Sequence, residues 1–409
     1  MKRVLVVDDD SDVVALMAEV LGESYEIQTA ADGQAGYEKA LQIRPDIVIT
    51  DIMMPKMHGY ELCQRLKSAS ALAGVKVMVV SSKGYPVDIR AAQEVGADGY
   101  LLKPFTAQEL QAAIESVDRS EKSATVRFWG TRGSCAAAGP KTARYGGNTS
   151  CVEARMGGTL VILDCGTGIR ELGLSLEREF QGRPIEGHIF VGHTHWDHIQ
   201  GFPFFVPLYD ARNSFKIYSL PGAHGSLERV FSGSMASDYF PVPLSSLSCR
   251  LEFVEVQCPL ELPGGVHVSW HALNHPGGAA GFRFEAHGKV LTYLSDHENF
   301  AKTMGDTDAA RRQDAGIAGF VKDSDLLISE AQYTEEEYPK HRGWGHSTYD
   351  DAVRCALAAG AKQLAVFHHD PERTDDMMDV QVEHCRELAR KARSDLACCG
   401  AKEGLSIIL

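Results

Sequence analysis

The sequence predicts an α/β protein of two domains, a doubly wound (βα)5 unit followed by a pair of sheets flanked by helices. Three observations carry that prediction. At 409 residues the chain exceeds what one ordinary core holds. Up to about residue 119, short apolar runs alternate with amphipathic stretches, the pattern of a parallel sheet covered on both faces. Beyond residue 125, β-type runs crowd together and clear helical patterns gather late.

In the first domain the apolar runs are 3–7, 47–49, 77–80 and 100–102, with helical periodicity at 12–21 and 34–41. Ligands of such sheets collect at the carboxyl ends of the strands. Asp8 and Asp9, Asp51, Ser81 and Lys103 stand at those ends. The segments VVDDD, ITDIMMPKMHGYEL, VVSS and GADGYLLKPF resemble the receiver domain of two-component response regulators. The resemblance implies that Asp51 accepts a phosphoryl group from a sensor histidine kinase. It implies that Asp9, Asp51 and the Met53 carbonyl hold Mg²⁺, with Asp8 acting through its water shell. Ser81 and Lys103 then bind phosphoryl oxygens, Tyr100 is the aromatic switch, and Lys103-Pro104 is cis.

A helix is expected over 106–117, with Thr106 as its N-cap. The sequence DRSEKSAT at 118–125 is polar and lacks apolar spacing. Residues 120–125 are therefore read as a linker between domains at 1–119 and 126–409. A connection this short is expected to keep the two in contact.

Strands in the second domain are expected at 126–129, 159–163, 187–191, 216–220, 251–256, 266–271, 281–285, 290–294, 325–329, 363–367 and 405–409, with helices at 348–359 and 376–393. Thr348-x-x-Asp351 is a capping pattern and Gly360 a C-terminal stop. Directly after the apolar run Ile189-Phe190-Val191 come His193, His195, Asp197 and His198. Isolated surface histidines are common, but four metal-capable side chains in six positions are a ligand cluster. Their spacing suggests two ions.

The sequence HTHWDH resembles the H-x-H-x-D-H signature of the metallo-β-lactamase fold, an αββα sandwich, and the resemblance extends from about residue 125 to the C-terminus. It implies that His193, His195 and His275 hold one divalent metal ion, that Asp197, His198 and His368 hold a second, and that Asp296 bridges them. Asp164 then orients a ligand histidine from behind. His368 is preferred over His369 because it follows the strand directly. Zinc stands first, with manganese and iron also suited to such ligands. Two ions that share a hydroxide favour hydrolysis, with Asp197 at the reacting centre.

Residues 327–334 and 345–348 resemble two segments of ribonuclease Z-like enzymes. By that resemblance Glu330 orients His346 beside a scissile phosphate. The departures are Ser329, where that enzyme has His, and the absence of a basic arm for gripping tRNA, which point to a smaller or nucleotide phosphodiester. A thioesterase or lactonase on the same metals and a non-catalytic scaffold are the alternatives. The glycine-rich stretches 130–134 and 145–150 could bring backbone N–H groups to a phosphate. Residues 202–243, rich in Phe, Pro and Tyr, are expected at the cleft mouth or in a homodimer interface.

Composition narrows the rest. Hydrophobic residues make up 44% and the net charge is −14, without a basic run, which argues against duplex DNA as a partner. No apolar run reaches the ~18 residues of a membrane span, and the first ten residues turn acidic where a signal peptide would stay apolar. Cytoplasmic placement is expected. Ten cysteines without regular spacing read as reduced thiols.

Overall fold

The computed structural model describes residues 2–409 apart from 73, 84, 86–87, 89–90, 93, 123, 181, 221–225 and 258. It divides into two compact units, Met1–Lys122 and Ser123–Leu409. Ser123, in the expected linker, and 221–225, within the aromatic stretch, lie outside the described residues.

The first unit is a five-stranded parallel sheet in the order β2-β1-β3-β4-β5, formed by Arg3–Val7 (β1), Glu26–Ala30 (β2), Ile47–Asp51 (β3), Lys76–Ser81 (β4) and Gly99–Leu102 (β5). Val4 to Val7 and Val77 to Val80 are fully buried, because helices cover both faces and leave no side of the central strands for polar residues. The helix Ser11–Leu21 starts at Asp10, whose carboxylate accepts from the amides of Asp12 and Val13. One expectation needs correction. The last helix runs from Ala107 to Lys122, through the first half of the stretch read as linker. Lack of apolar spacing marks the end of a core-facing stripe, and Arg, Glu and Lys are good helix formers that carry a helix on without one.

The second unit packs two seven-stranded sheets face to face. One has the order β11-β10-β9-β8-β7-β6-β19, formed by Thr125–Gly130 (β6), Cys151–Met156 (β7), Thr159–Leu163 (β8), Glu186–Phe190 (β9), Ser214–Ser219 (β10), Arg250–Glu255 (β11) and Ser406–Ile408 (β19). The other has the order β12-β13-β14-β15-β16-β17-β18, formed by Leu260–Leu262 (β12), Val266–Leu273 (β13), Ala279–Ala286 (β14), Lys289–Leu294 (β15), Leu326–Glu330 (β16), Gln363–Phe367 (β17) and Ala397–Gly400 (β18). Between them lies a core that includes Phe128, Phe190, Phe282, Phe284, Tyr293 and Phe367. The helix Ile169–Phe180 covers the outer face of the first sheet through Ile169, Leu172 and Leu176. Helices Asp308–Val321, Tyr349–Ala359 and Asp375–Lys391 cover the second. This is the αββα layering. Strands β7 (Cys151–Met156), β12 (Leu260–Leu262) and β18 (Ala397–Gly400) and the helices at 169–180 and 308–321 go beyond the sequence expectation. The helix Tyr349–Ala359 begins in the predicted capping box of Thr348 and Asp351, and Gly360 closes it with φ +67°.

In the aromatic stretch, Phe202, Phe205 and Phe231 enter the core on the outer face of the first sheet, while Phe204 and Tyr239 stay exposed. No helix among the described residues is long and apolar enough to cross a membrane.

Candidate metal centre

Six strands deliver ligand-bearing residues to one edge of the sandwich. Asp164 follows β8 (Thr159–Leu163), His193 and His195 follow β9 (Glu186–Phe190), and Asp197 and His198 lie on the single turn Trp196–Ile199. From the other sheet, His275 follows β13 (Val266–Leu273), Asp296 follows β15 (Lys289–Leu294), Glu330 ends β16 (Leu326–Glu330), and His368 follows β17 (Gln363–Phe367). Asp164 and His368 adopt left-handed backbone, φ +60° and +57°, which turns the chain sharply at the strand end. Two glycines permit the close packing this needs. A Cβ on Gly192 would fall 2.3 Å from Ser295 Oγ, and one on Gly133 would fall 2.4 Å from the His368 ring.

Two groups of metal-capable atoms share Asp296, His193, His195, His275 and Asp296 on one side and Asp197, His198, Asp296 and His368 on the other, and Glu330, His346 and His368 make a third, the atoms of each within 4.8 Å of one another. The residues fit metal ions on two counts. Among the described residues, His193 Nε2 and Asp296 Oδ1 are buried without a hydrogen-bond partner. Facing nitrogens also approach each other, with His198 Nε2 3.2 Å from His368 Nε2 and His195 Nδ1 3.1 Å from His275 Nε2. Lone pairs converging in this way call for a cation between them.

Two of the rings are tied from behind. His198 Nδ1 donates to Asp164 Oδ2 at 2.7 Å, and His275 Nδ1 donates to the Gly345 carbonyl at 2.9 Å, so both rings present Nε2 to the centre. Asp164 also accepts from the Gly192 amide at 2.6 Å and from the Tyr293 hydroxyl. Asp197 Oδ2 accepts from the Ser134 amide at 2.7 Å and lies 2.9 Å from His368 Nε2. His369 turns away, its Nε2 donating to the Ala401 carbonyl at 2.7 Å. Burial pushes Asp296 up, but the His368, His198 and His193 rings outweigh it and hold the carboxyl well below the usual range. Burial pulls His275 down to about 4.

His346 is not needed by either of the two groups that share Asp296. Its Nδ1 lies 3.6 Å from Glu330 Oε2 and 3.8 Å from Asp296 Oδ2, and the ring is 5.2 Å from that of His368. Burial pulls His346 down, and the Glu330 and Asp296 carboxylates more than reverse this, to about 8. Glu330 is held by the Ser347 amide at 2.5 Å, and burial raises its pKa.

At the carboxyl edge of the first unit, Lys103 Nζ lies 2.6 Å from Asp8 Oδ2 and 2.8 Å from Asp51 Oδ1. Burial would lower the Lys103 pKa, but these bonds outweigh it and raise it. The Met53 amide donates to Asp51 Oδ2 at 2.5 Å. Asp9 is exposed beside this cluster, and buried Ser81 accepts from the Lys83 amide at 3.1 Å. The Tyr100 hydroxyl donates to the Lys83 carbonyl at 2.6 Å. The Lys103-Pro104 bond is cis.

Comparison with known families matches residues 159–369, more than half of the chain, to the beta-lactamase superfamily domain. The chain belongs to the beta-lactamase superfamily. Residues 4–115 match the response regulator receiver domain, so this superfamily member carries a receiver at its N-terminal side. Among solved structures, the metallo-beta-lactamase fold protein YhfI of Bacillus subtilis covers 70% of this chain and all of its own, at 18% identity and a TM-score of 0.50, a likeness of fold. Among curated proteins, the DNA-binding dual master transcriptional regulator RpaA of Synechocystis is 37% identical over 122 residues, 29% of this chain and 50% of that protein. The regulatory protein PhoP of Bacillus subtilis is 34% identical over 119 residues, 29% of this chain and 49% of that protein. The chain spans about half the length of these relatives, and the match is confined to the receiver. The fold implies divalent metal ions in the superfamily unit, and the receiver implies phosphotransfer from a sensor histidine kinase.

Three groups in the superfamily unit were not singled out from sequence. Ser134 orients Asp197 through its backbone, and Tyr293 holds Asp164. Buried Glu298 accepts from the amides of Gly343 and Gly345 at 2.8 Å and from the Tyr338 hydroxyl at 2.5 Å, fixing the loop whose carbonyl holds His275. A signal for Glu298 existed in its place two residues after Asp296. The glycine-rich stretches mostly hold each other, through the Thr131 and Arg132 amides to the Asn148 carbonyl and the Arg132 guanidinium to the carbonyls of Gly146 and Arg373.

Proposed function

We propose that this chain is a response regulator whose output unit is a dinuclear metal-dependent phosphodiesterase acting on a small or nucleotide phosphodiester. In this reading His193, His195 and His275 hold one ion, Asp197, His198 and His368 the other, and Asp296 both, with zinc first and manganese or iron also suited. The ions would supply an activated hydroxide and clamp the phosphate oxygens. The observation that carries the substrate class is the buried His346–Glu330 pair, 3.6 Å apart and next to Asp296, which neither of the two groups sharing Asp296 includes, although with His368 it could itself hold an ion. Phosphodiester cleavage expels an alkoxide, and an imidazolium beside the centre meets that charge, whereas acyl hydrolysis on two ions needs it less.

Purified protein loaded with Zn²⁺ or Mn²⁺ is expected to hydrolyse an activated phosphodiester faster than a β-lactam, a thioester or a lactone. A preference for any of the last three would replace the substrate class. A fully loaded centre inert to all four would make it a binding scaffold.

Phosphorylation of Asp51, with Mg²⁺ held by Asp9, Asp51 and Met53, is proposed to set the hydrolase rate. Lys103 already bridges Asp8 and Asp51, and a phosphoryl group on Asp51 would draw it and Ser81 toward new oxygens. An equilibrium moves only by the difference in affinity for its two states, so a rate change of ~10–100-fold is expected with beryllofluoride. The comparison is turnover with and without the mimic, in wild type and Asp51→Ala. Equal rates in all four, with mimic binding confirmed, would remove the coupling.

A further inference from the structure

Behind the His346–Glu330 pair, on the other face of the sheet, lies a cavity of about 210 Å³ between β15, β16 and the helices Asp308–Val321 and Tyr349–Ala359. Side chains alternate along a strand, and β16 shows the consequence. Glu330 faces the metal ligands, and its neighbour Ser329 faces the helices and lines the cavity. Leu327, two residues earlier, packs in the core cluster under the same helices. The wall is mostly apolar, with Leu294, Ile317, Ala318, Ala352 and Cys355. An apolar cavity of ~150 Å³ is large enough for benzene. This one has room for a single ring with a small substituent.

One wall group points to what that substituent is. His297 is 92% buried, at 8% exposure, and lines the cavity. Its Nδ1 accepts from the Asn274 amide at 3.1 Å, so the ring proton sits on Nε2. None of the hydrogen bonds among the described residues uses that N–H, so an acceptor bound in the cavity would supply its partner. The charged side chains of the lining are Asp314, Asp351 and Arg354, with Arg354 paired to Asp351 at 2.9 Å. Their sum is negative, which disfavours an anion.

We propose that this cavity binds a neutral single-ring molecule carrying one hydrogen-bond acceptor, and that its occupancy is felt at the metal centre. The route is covalent and short. His297, Ser329 and Ser347 line the cavity, and each adjoins a residue of the centre, Asp296, Glu330 and His346 respectively. The Ser347 hydroxyl donates to the His297 carbonyl at 2.5 Å while the Ser347 amide holds Glu330, so a wall that moves carries the carboxylate with it.

The test uses 4-fluoroacetophenone, followed by fluorine NMR on the metal-loaded full chain. Saturable one-to-one binding below ~1 mM is expected, lost in Ala318→Phe, which fills the cavity without touching the centre. Ala315→Phe at the mouth serves as a second filled variant, and each is checked for an unchanged melting temperature. No saturation in the wild type, or equal binding by filled variants that melt normally, overturns the site. At saturating probe, turnover of an activated phosphodiester is expected to change at least about twofold, and an unchanged rate overturns the coupling. Binding is read without activity, so failure here is distinct from failure of the phosphodiesterase reading.

Discussion

Asp296→Ala empties both metal positions at once, and turnover falls with them. Its carboxylate is the one group common to the two ligand clusters, and its Oδ1 is buried without a partner among the described residues. Losing a residue that merely orients a ligand costs ~10–100-fold in metal affinity or activity, and a ligand shared by two ions should exceed that. The variant also leaves His193, His198 and His368, at 3.4, 3.3 and 3.3 Å from this carboxylate, facing one another without it. Metal content by mass spectrometry and turnover on the same preparation check the claim. Two equivalents of metal at wild-type rate in the variant would show that Asp296 bridges nothing.

His346→Ala should separate the chemistry from the metals. Its imidazole neighbours Asp296 and His368 but belongs to neither of the two groups that share Asp296, so metal content is expected to stay at the wild-type level. General acid–base groups contribute ~10²–10⁴-fold, and phosphodiester turnover should drop within that range while any acyl-ester hydrolysis changes little. Glu330→Gln should fall in the same direction by less, since the neutral amide of equal length would keep an oxygen for the Ser347 amide but lose its charge toward His346. Equal losses on phosphodiester and acyl substrates in His346→Ala would point to a structural role for the ring.

What could be read from the sequence followed a physical divide. Residues one or two positions past an apolar run, such as His193, Asp296 and His368, could be placed at one edge of the sandwich, because a strand end fixes where the next side chain goes. The receiver cluster was legible for the same reason. Contacts made by backbone or across long sequence separations were not. The amide of Ser134 reaches Asp197 across 63 positions, and Tyr293 reaches Asp164 across 129. No local pattern encodes either. The helix Ile169–Phe180 lay outside the sequence expectation despite Ile169, Leu172 and Leu176 at helical spacing. The stretch 118–122 misled in the opposite way, because polarity identifies a solvent-facing segment but not its backbone state.

Asp164 and His368, together with Ser134, hold left-handed backbone at φ +57° to +60° although each bears a side chain. Glycine would relax every one of them, and left-handed geometry costs a residue with a Cβ roughly 1–2 kcal/mol. That cost is met once, when the chain folds, and the surrounding hydrogen bonds keep the three turns from relaxing. The geometry of the pocket is thus preorganised. The residues that would hold an ion are aimed beforehand, and binding would leave the protein little rearrangement to make.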